Sequence, residues 1–293
     1  MTAQDRTGLV FIAPVLLGTV IVLVVPTVLG LLLSMTDFDI YAVANIKWLS
    51  FVGVDNYLDL VRQPLFWRAT VNTLLFAGFG VPAAIATSLI AALLVHSRLV
   101  RWKPVWRLIF FAPYVTTLVA TALVWRYVLD TRTGLLNYWL ALAGISPVGW
   151  LDDPRTSIPA TLIFIVWKAF GYNMLVFMAA LSTVSQDLRE AAQLDGASVW
   201  ARFRHVTLPA IGPALLLAAV ISVANFLQVF TEPYVMTHGG PAESTVTILY
   251  FMFEQGFTWW NLGTASAVAV ILFAAILIVT GAQTWLGKRY EWI

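Results

Sequence analysis

Apolar residues along this chain fall into long blocks separated by short polar intervals, rather than into the mixed texture of a soluble domain. Six blocks stand out, near residues 9–33, 69–95, 105–128, 158–181, 212–231 and 263–286. A helix rising 1.5 Å per residue needs about 20 apolar residues to cross the hydrocarbon layer, so each block predicts one transmembrane helix. Charge within them is sparse: Arg126 sits at the end of the third, and Lys168 lies well inside the fourth. The first block is too long for the apolar core of a signal peptide and no small-residue cleavage site follows it, so it is expected to be a retained helix. The predicted fold is an all-α integral membrane protein of about six spans, a single transmembrane domain over residues 1–293.

The polar intervals orient these spans. An even number of crossings puts both termini on one side. Together with the second and fourth intervals, that side carries Arg6, Arg98, Arg101, Lys103, Arg107, Arg189, Arg202, Arg204, Lys288 and Arg289 in short segments. The longer opposite intervals carry only Lys47, Arg62, Arg68, Arg126, Arg132 and Arg155. The positive-inside rule therefore expects both termini in the cytoplasm. The outer intervals contain a turn signal, His238-Gly239-Gly240-Pro241, and a candidate interfacial anchor of Phe257, Trp259 and Trp260.

Composition agrees with the pattern. Charged residues make up 11% of the chain, against roughly 25% in soluble domains, and mean hydropathy is +0.84. The absence of cysteine excludes disulfides, thiolate metal sites and cysteine nucleophiles. A net charge of +2 gives no reason to expect a nucleic-acid partner. His96, His205 and His238 lie in intervals on both sides and do not form a metal cluster. Neither a G-x-S-x-G elbow nor a Walker A sequence is present, so any ATP-driven motor must be a separate subunit. An ion-coupled secondary transporter would need intramembrane carboxylates. Asp130 and Glu232 lie only at span ends, which disfavours that alternative.

The longest cytoplasmic interval, Ser182 to Ile211, predicts two short helices around a break. Ser185 or Asp187 can cap the first, Ala191 and Ala192 favour helix, and Gly196 permits the left-handed turn that ends it. Trp200, Phe203 and Val206 then recur at helical spacing. A short amphipathic helix lying on the membrane surface would read in the same way.

The pattern Glu190-Ala191-Ala192, Gly196 and Val206-x-Leu208-Pro209 resembles the EAA loop of bacterial ABC importer permeases of type I fold. Phe51-Val52-Gly53-Val54-Asp55-Asn56-Tyr57 and the stretch from Phe226 to Pro241 resemble the carbohydrate group of that family, nearest the first maltose-type permease. The resemblance implies a subunit without its own ATPase site. Its implied partners are a second permease, two ATP-binding subunits that hold ATP and Mg, and an extracytoplasmic solute-binding protein, in a bacterial or archaeal cytoplasmic membrane. It also implies that Glu190, Ala191, Ala192 and Gly196 form the core of a coupling loop that takes in Asp195, Leu208 and Pro209.

Polar residues inside the blocks should face the bundle or a watery cavity. Lys168 and Tyr172 share one face of the fourth span, with Asn173 beside them, while Ser222, Asn225 and Gln228 form a stripe on the fifth, flanked by Phe226 and Phe230. Amides, hydroxyls and aromatic rings suit a sugar, and the resemblance sets Tyr172 and Ser222 where the maltose permease meets its sugar. Lys168, Phe226 and Val229 depart from that pattern. The same residues could instead glue helices together, and Lys168 could pair with an acidic residue or a helix C-terminus.

Overall fold

The structure is a computed structural model that describes residues 3–45, 49–97 and 100–289. Lys47 and Arg98, used above for orientation, lie outside the described residues, as do the side chains of Arg6 and Arg189. Among the described residues the only β pairing is a single antiparallel bridge, Thr36 to Phe51; helices account for the rest of the regular structure.

The chain clusters into two units, residues 1–66 with 251–274, and residues 67–250 with 275–293. In the first, α1 (Ala3–Thr19) and α2 (Val25–Leu33) are joined through a π turn at Val20–Val24. They supply an apolar rod, Phe11–Leu33, whose side chains are exposed in the isolated chain. Short helices α3 (Ile40–Ala44) and α4 (Asp55–Arg62) follow. The Phe51–Tyr57 motif has a clear structural use here. Val52 and Gly53 N–H groups both donate to the Met35 carbonyl, at 2.9 and 3.0 Å, with Gly53 at φ +62°. Asn56 donates to the Ser34 and Thr36 carbonyls, and Tyr57 bonds the Ser34 hydroxyl at 2.7 Å. The motif thus satisfies the carbonyls of the turn that follows α2.

The second unit holds most of α5 (Pro64–His96), then α6 (Lys103–Val115), α7 (Leu118–Val128), α8 (Leu135–Leu142) and α9 (Pro154–Thr183). Next come α10 (Gln186–Leu194), α11 (Val199–Arg202), a π turn at Phe203–Thr207, α12 (Leu208–Ala210), α13 (Gly212–Leu227) and α14 (Thr231–Met236). The chain closes with α15 (Ile248–Phe253), a π turn at Glu254–Thr258 and α16 (Leu262–Arg289). Among the described residues, four helical stretches are apolar and long enough to span: Phe11–Leu33, which runs through its π turn, Pro64–His96, Pro154–Thr183 and Leu262–Arg289.

Two further helix pairs are bent at short breaks. α6 and α7 meet at 96°, and Val199–Ala210 meets α13 at 70°. Proline explains both. Pro113 lacks the N–H that would bond the Ile109 carbonyl and crowds that turn, so α6 ends two residues later. Pro209 and Pro213 flank the second break at Ile211. α9 packs closely on α6 because residue 171 has no side chain: a Cβ there would lie 2.2 Å from the Phe110 carbonyl oxygen. Two buried clusters complete the unit, one around Phe76, Phe164 and Phe226 and one around Met174, Phe177 and Ile211.

Candidate functional site

The break between α6 and α7 borders a cavity. Ending α6 at Val115 takes the Pro113 and Thr116 carbonyls out of the helical ladder, and the Thr116 hydroxyl donates to the first at 2.7 Å. Lys168, from the middle of α9, reaches across and donates to both, at 2.8 and 2.7 Å, and to the Thr116 hydroxyl at 3.3 Å. A cation at a helix C-terminus is favourable because of the partial negative charge there. Of the two structural partners open to Lys168 on sequence, the helix C-terminus is the one it bonds.

Beside this cap lies a cavity of about 520 Å³, lined by Tyr114, Lys168, Tyr172, Ser222, Asn225, Gln228, Phe230 and Glu232 among others. Tyr172 stacks on Tyr114 with ring centres 5.2 Å apart and planes inclined by 25°. Asn173 donates to the Ser222 hydroxyl at 3.1 Å, and both are buried; Ser222 therefore ties α9 to α13 as well as facing the cavity. Asn225 is exposed, and Gln228, at the C-terminus of α13, turns its amide back to the Ala224 carbonyl. All five residues expected to meet a solute line this one cavity.

Two lining residues escape a pattern-based reading. Tyr114 looks like one more apolar position until the chain breaks after it. Glu232 stands at the end of an apolar run, where hydropathy places it in an outer interval. α13 stops at Leu227, and Phe230 has non-helical backbone angles (φ −142°, ψ −55°), so the chain turns back and Glu232 joins the cavity wall. Its carboxyl group and Lys168 line the same cavity. Phe226 is buried against Gly80, where a Cβ would come within 2.0 Å of the ring.

The loop between α9 and α13 forms the expected two helices around a break. Gly196 has φ +77°; its N–H bonds the Gln193 carbonyl at 3.1 Å, and the Ala197 N–H bonds Ala192 at 3.0 Å. This pair of bonds is a complete Schellman motif. The N-terminal expectation is corrected: Ser185 occupies the cap position but its side chain makes no cap bond, and Asp187 lies inside the first turn. An extended ψ of 130° at Ser185 starts the helix instead. Ser198 caps the second helix through the Ala201 N–H at 3.2 Å. Arg202 ties the two helices by donating to Gln193 at 3.0 Å. Glu190, Ala191, Asp195 and Gly196 are exposed, Ala192 is half-buried, and Leu194 beside them is 88% exposed. Leu208 is half-buried and Pro209 exposed at the base of the loop.

Residues 13–292 match the binding-protein-dependent transport system inner membrane component family. The chain belongs to that family. Among its relatives, the lactose transport system permease protein LacF of Rhizobium radiobacter is 32% identical over 290 residues, covering 97% of this chain and 95% of that one. The trehalose/maltose transport system permease protein MalF of Thermococcus litoralis is 32% identical over 285 residues, with the same coverage. Among solved structures, a bacterial ABC transporter involved in the import of the acidic polysaccharide alginate superposes with a TM-score of 0.81 at 23% identity, covering 98% of this permease and 96% of that chain. The fold is thus that of an ABC importer permease, and the chain is a transporter subunit rather than an enzyme.

Proposed function

We propose that this permease forms half of the membrane path of an ATP-driven sugar importer, with both termini in the bacterial or archaeal cytoplasm. A second permease, the same or different, completes the path. An extracytoplasmic binding protein delivers the sugar, and two ATPase subunits bind ATP and Mg on the cytoplasmic side. The cavity beside Lys168 carries this reading. Its rings at Tyr114, Tyr172 and Phe230 can cover the apolar faces of a sugar, and Ser222, Asn225, Gln228 and Glu232 offer donors and acceptors to hydroxyls. The lactose and trehalose/maltose relatives support the same substrate class.

Coupling runs through α10. The Ala191–Ala192 surface is shallow, with Ala191 exposed and Ala192 half-buried, and its far end is held by the Schellman bonds at Gly196, so a partner that grips it moves a stiff element. Beyond Ser198 the chain leads through the bend at Ile211 into α13, which carries Ser222, Asn225 and Gln228. Displacement of α10 is therefore passed to the cavity wall. Co-purification in mild detergent tests the assembly: an ATPase, a permease and a binding protein should accompany the chain, and one sugar should stimulate hydrolysis. Purification without an ATPase, or hydrolysis indifferent to every sugar, would refute the reading.

A further inference from the structure

We infer that the cytoplasmic end of α5 and the loop helices together hold an anionic phospholipid. Two adjoining spaces point to it. One is a largely apolar groove of about 790 Å³ that runs along Ala86, Leu89, Ile90 and Leu93 of α5 and is closed opposite by Trp200 and Phe203. The α5 positions recur at helical spacing, so they form one continuous face. The other is a polar cavity of about 830 Å³ lined by Lys103, Gln186, Glu190, Gln193 and Arg202. His96, Ser97, Leu181 and Arg202 belong to both walls, so the groove adjoins the cavity.

The chemistry of the two spaces matches the two ends of a lipid. Trp200 is 67% exposed and Ile90 58% exposed on the groove, which suits an acyl chain. In the cavity, Lys103 donates one hydrogen bond to the His96 carbonyl at 3.0 Å and keeps further donors. Arg202 spends Nη1 on Gln193, while its buried Nε has no hydrogen-bond partner. Arg202 lines the cavity, and a phosphate oxygen is the acceptor that a guanidinium best fits. Glu190 is the only acidic residue of this wall and already accepts from Gln186 at 2.6 Å. Lys103 and Arg202 therefore leave the cavity net positive with His96 neutral. A lipid seated there would touch both α5 and the coupling loop. The site rests on the cytoplasmic placement of that loop.

The test is native mass spectrometry of the full chain, extracted in mild detergent and supplied with phosphatidylglycerol or phosphatidylcholine. Phosphatidylglycerol should be retained at least about fivefold better, the effect of one well-placed cation near an anionic headgroup. Arg202→Gln and Lys103→Gln should each remove that preference, and Trp200→Ser should reduce total retention. Arg155→Gln, at the opposite end of α9, should leave it unchanged. Circular dichroism establishes that each variant is folded. Equal retention of both lipids, or an undiminished preference in folded Arg202→Gln, would overturn the inference. So would loss of the lipid when the chain is purified with its ATPase. Retention is read whichever way the loop faces. Labelling of Asp195→Cys with an impermeant thiol reagent reports orientation separately, on a chain that has no other cysteine.

Discussion

Replacing Lys168 by Met separates its two possible uses. The ammonium makes two short bonds to main-chain carbonyls and one longer bond to a hydroxyl, all at the broken end of α6. A hydrogen bond to a charged group contributes about 1.5–3 kcal/mol when its partner is left dry. Here Lys168 is half-buried and borders an open cavity, so water can reach the freed carbonyls and most of that loss is recovered. The helix-terminus interaction that remains is worth about 1–2 kcal/mol, a five- to thirtyfold change in the folded ratio. Lys168→Met should therefore lower the denaturation midpoint of the purified chain measurably, and Lys168→Arg should restore part of it. Sugar concentration dependence of uptake should move much less than in Tyr172→Ala. Full stability in Lys168→Met together with lost sugar dependence would refute the cap and make Lys168 a ligand.

Other outcomes follow from the same geometry. Gly196→Pro and Glu190→Lys should abolish uptake while membrane insertion, followed by fractionation, is retained. Gly196→Ala should weaken the loop by about 1–2 kcal/mol through its left-handed backbone, read as lower ATPase stimulation by the sugar. Gly171→Ala should cost about 1–3 kcal/mol or more, because its Cβ meets Phe110 backbone that cannot yield cheaply; a thermal melt in detergent measures it. Asn137→Ala should destabilise the segment after α8. Asn137 is buried, accepts from the Val148 N–H and the Trp150 indole, and donates to the Thr131 and Val148 carbonyls. The cost is about 1–3 kcal/mol for each group left unsatisfied, and Trp150 fluorescence should report it. Bonds from the Thr133 N–H, the Thr133 hydroxyl and the Arg132 N–H hold the Asp130 carboxyl below its ordinary range. The turn they form should be fully stabilised above that range and open only as pH falls through the lowered value, seen as faster amide exchange at Thr133.

Much of this architecture is written locally. Hydropathy sums over neighbouring residues, so the long apolar helices Phe11–Leu33, Pro64–His96, Pro154–Thr183 and Leu262–Arg289 depend on little else. The turn at Gly196 is equally local, since a glycine after an Ala-rich helix meets the backbone requirement by itself. The polar stripe at Ser222, Asn225 and Gln228 follows from helical spacing alone. Tertiary structure decided how the chain breaks between α6 and α7 and what caps the break. Pro113 announces a bend, but its angle and stability depend on an ammonium 55 residues later in the chain. The close approach of α9 to α6 needs an unfilled position at Gly171, which sequence records only as one more small residue. Glu232 reads as a loop acid until the backbone at Phe230 turns it inward. Carbonyls and charges in a membrane must find partners wherever the fold supplies them, and pairings at such separations leave no periodic trace along the chain.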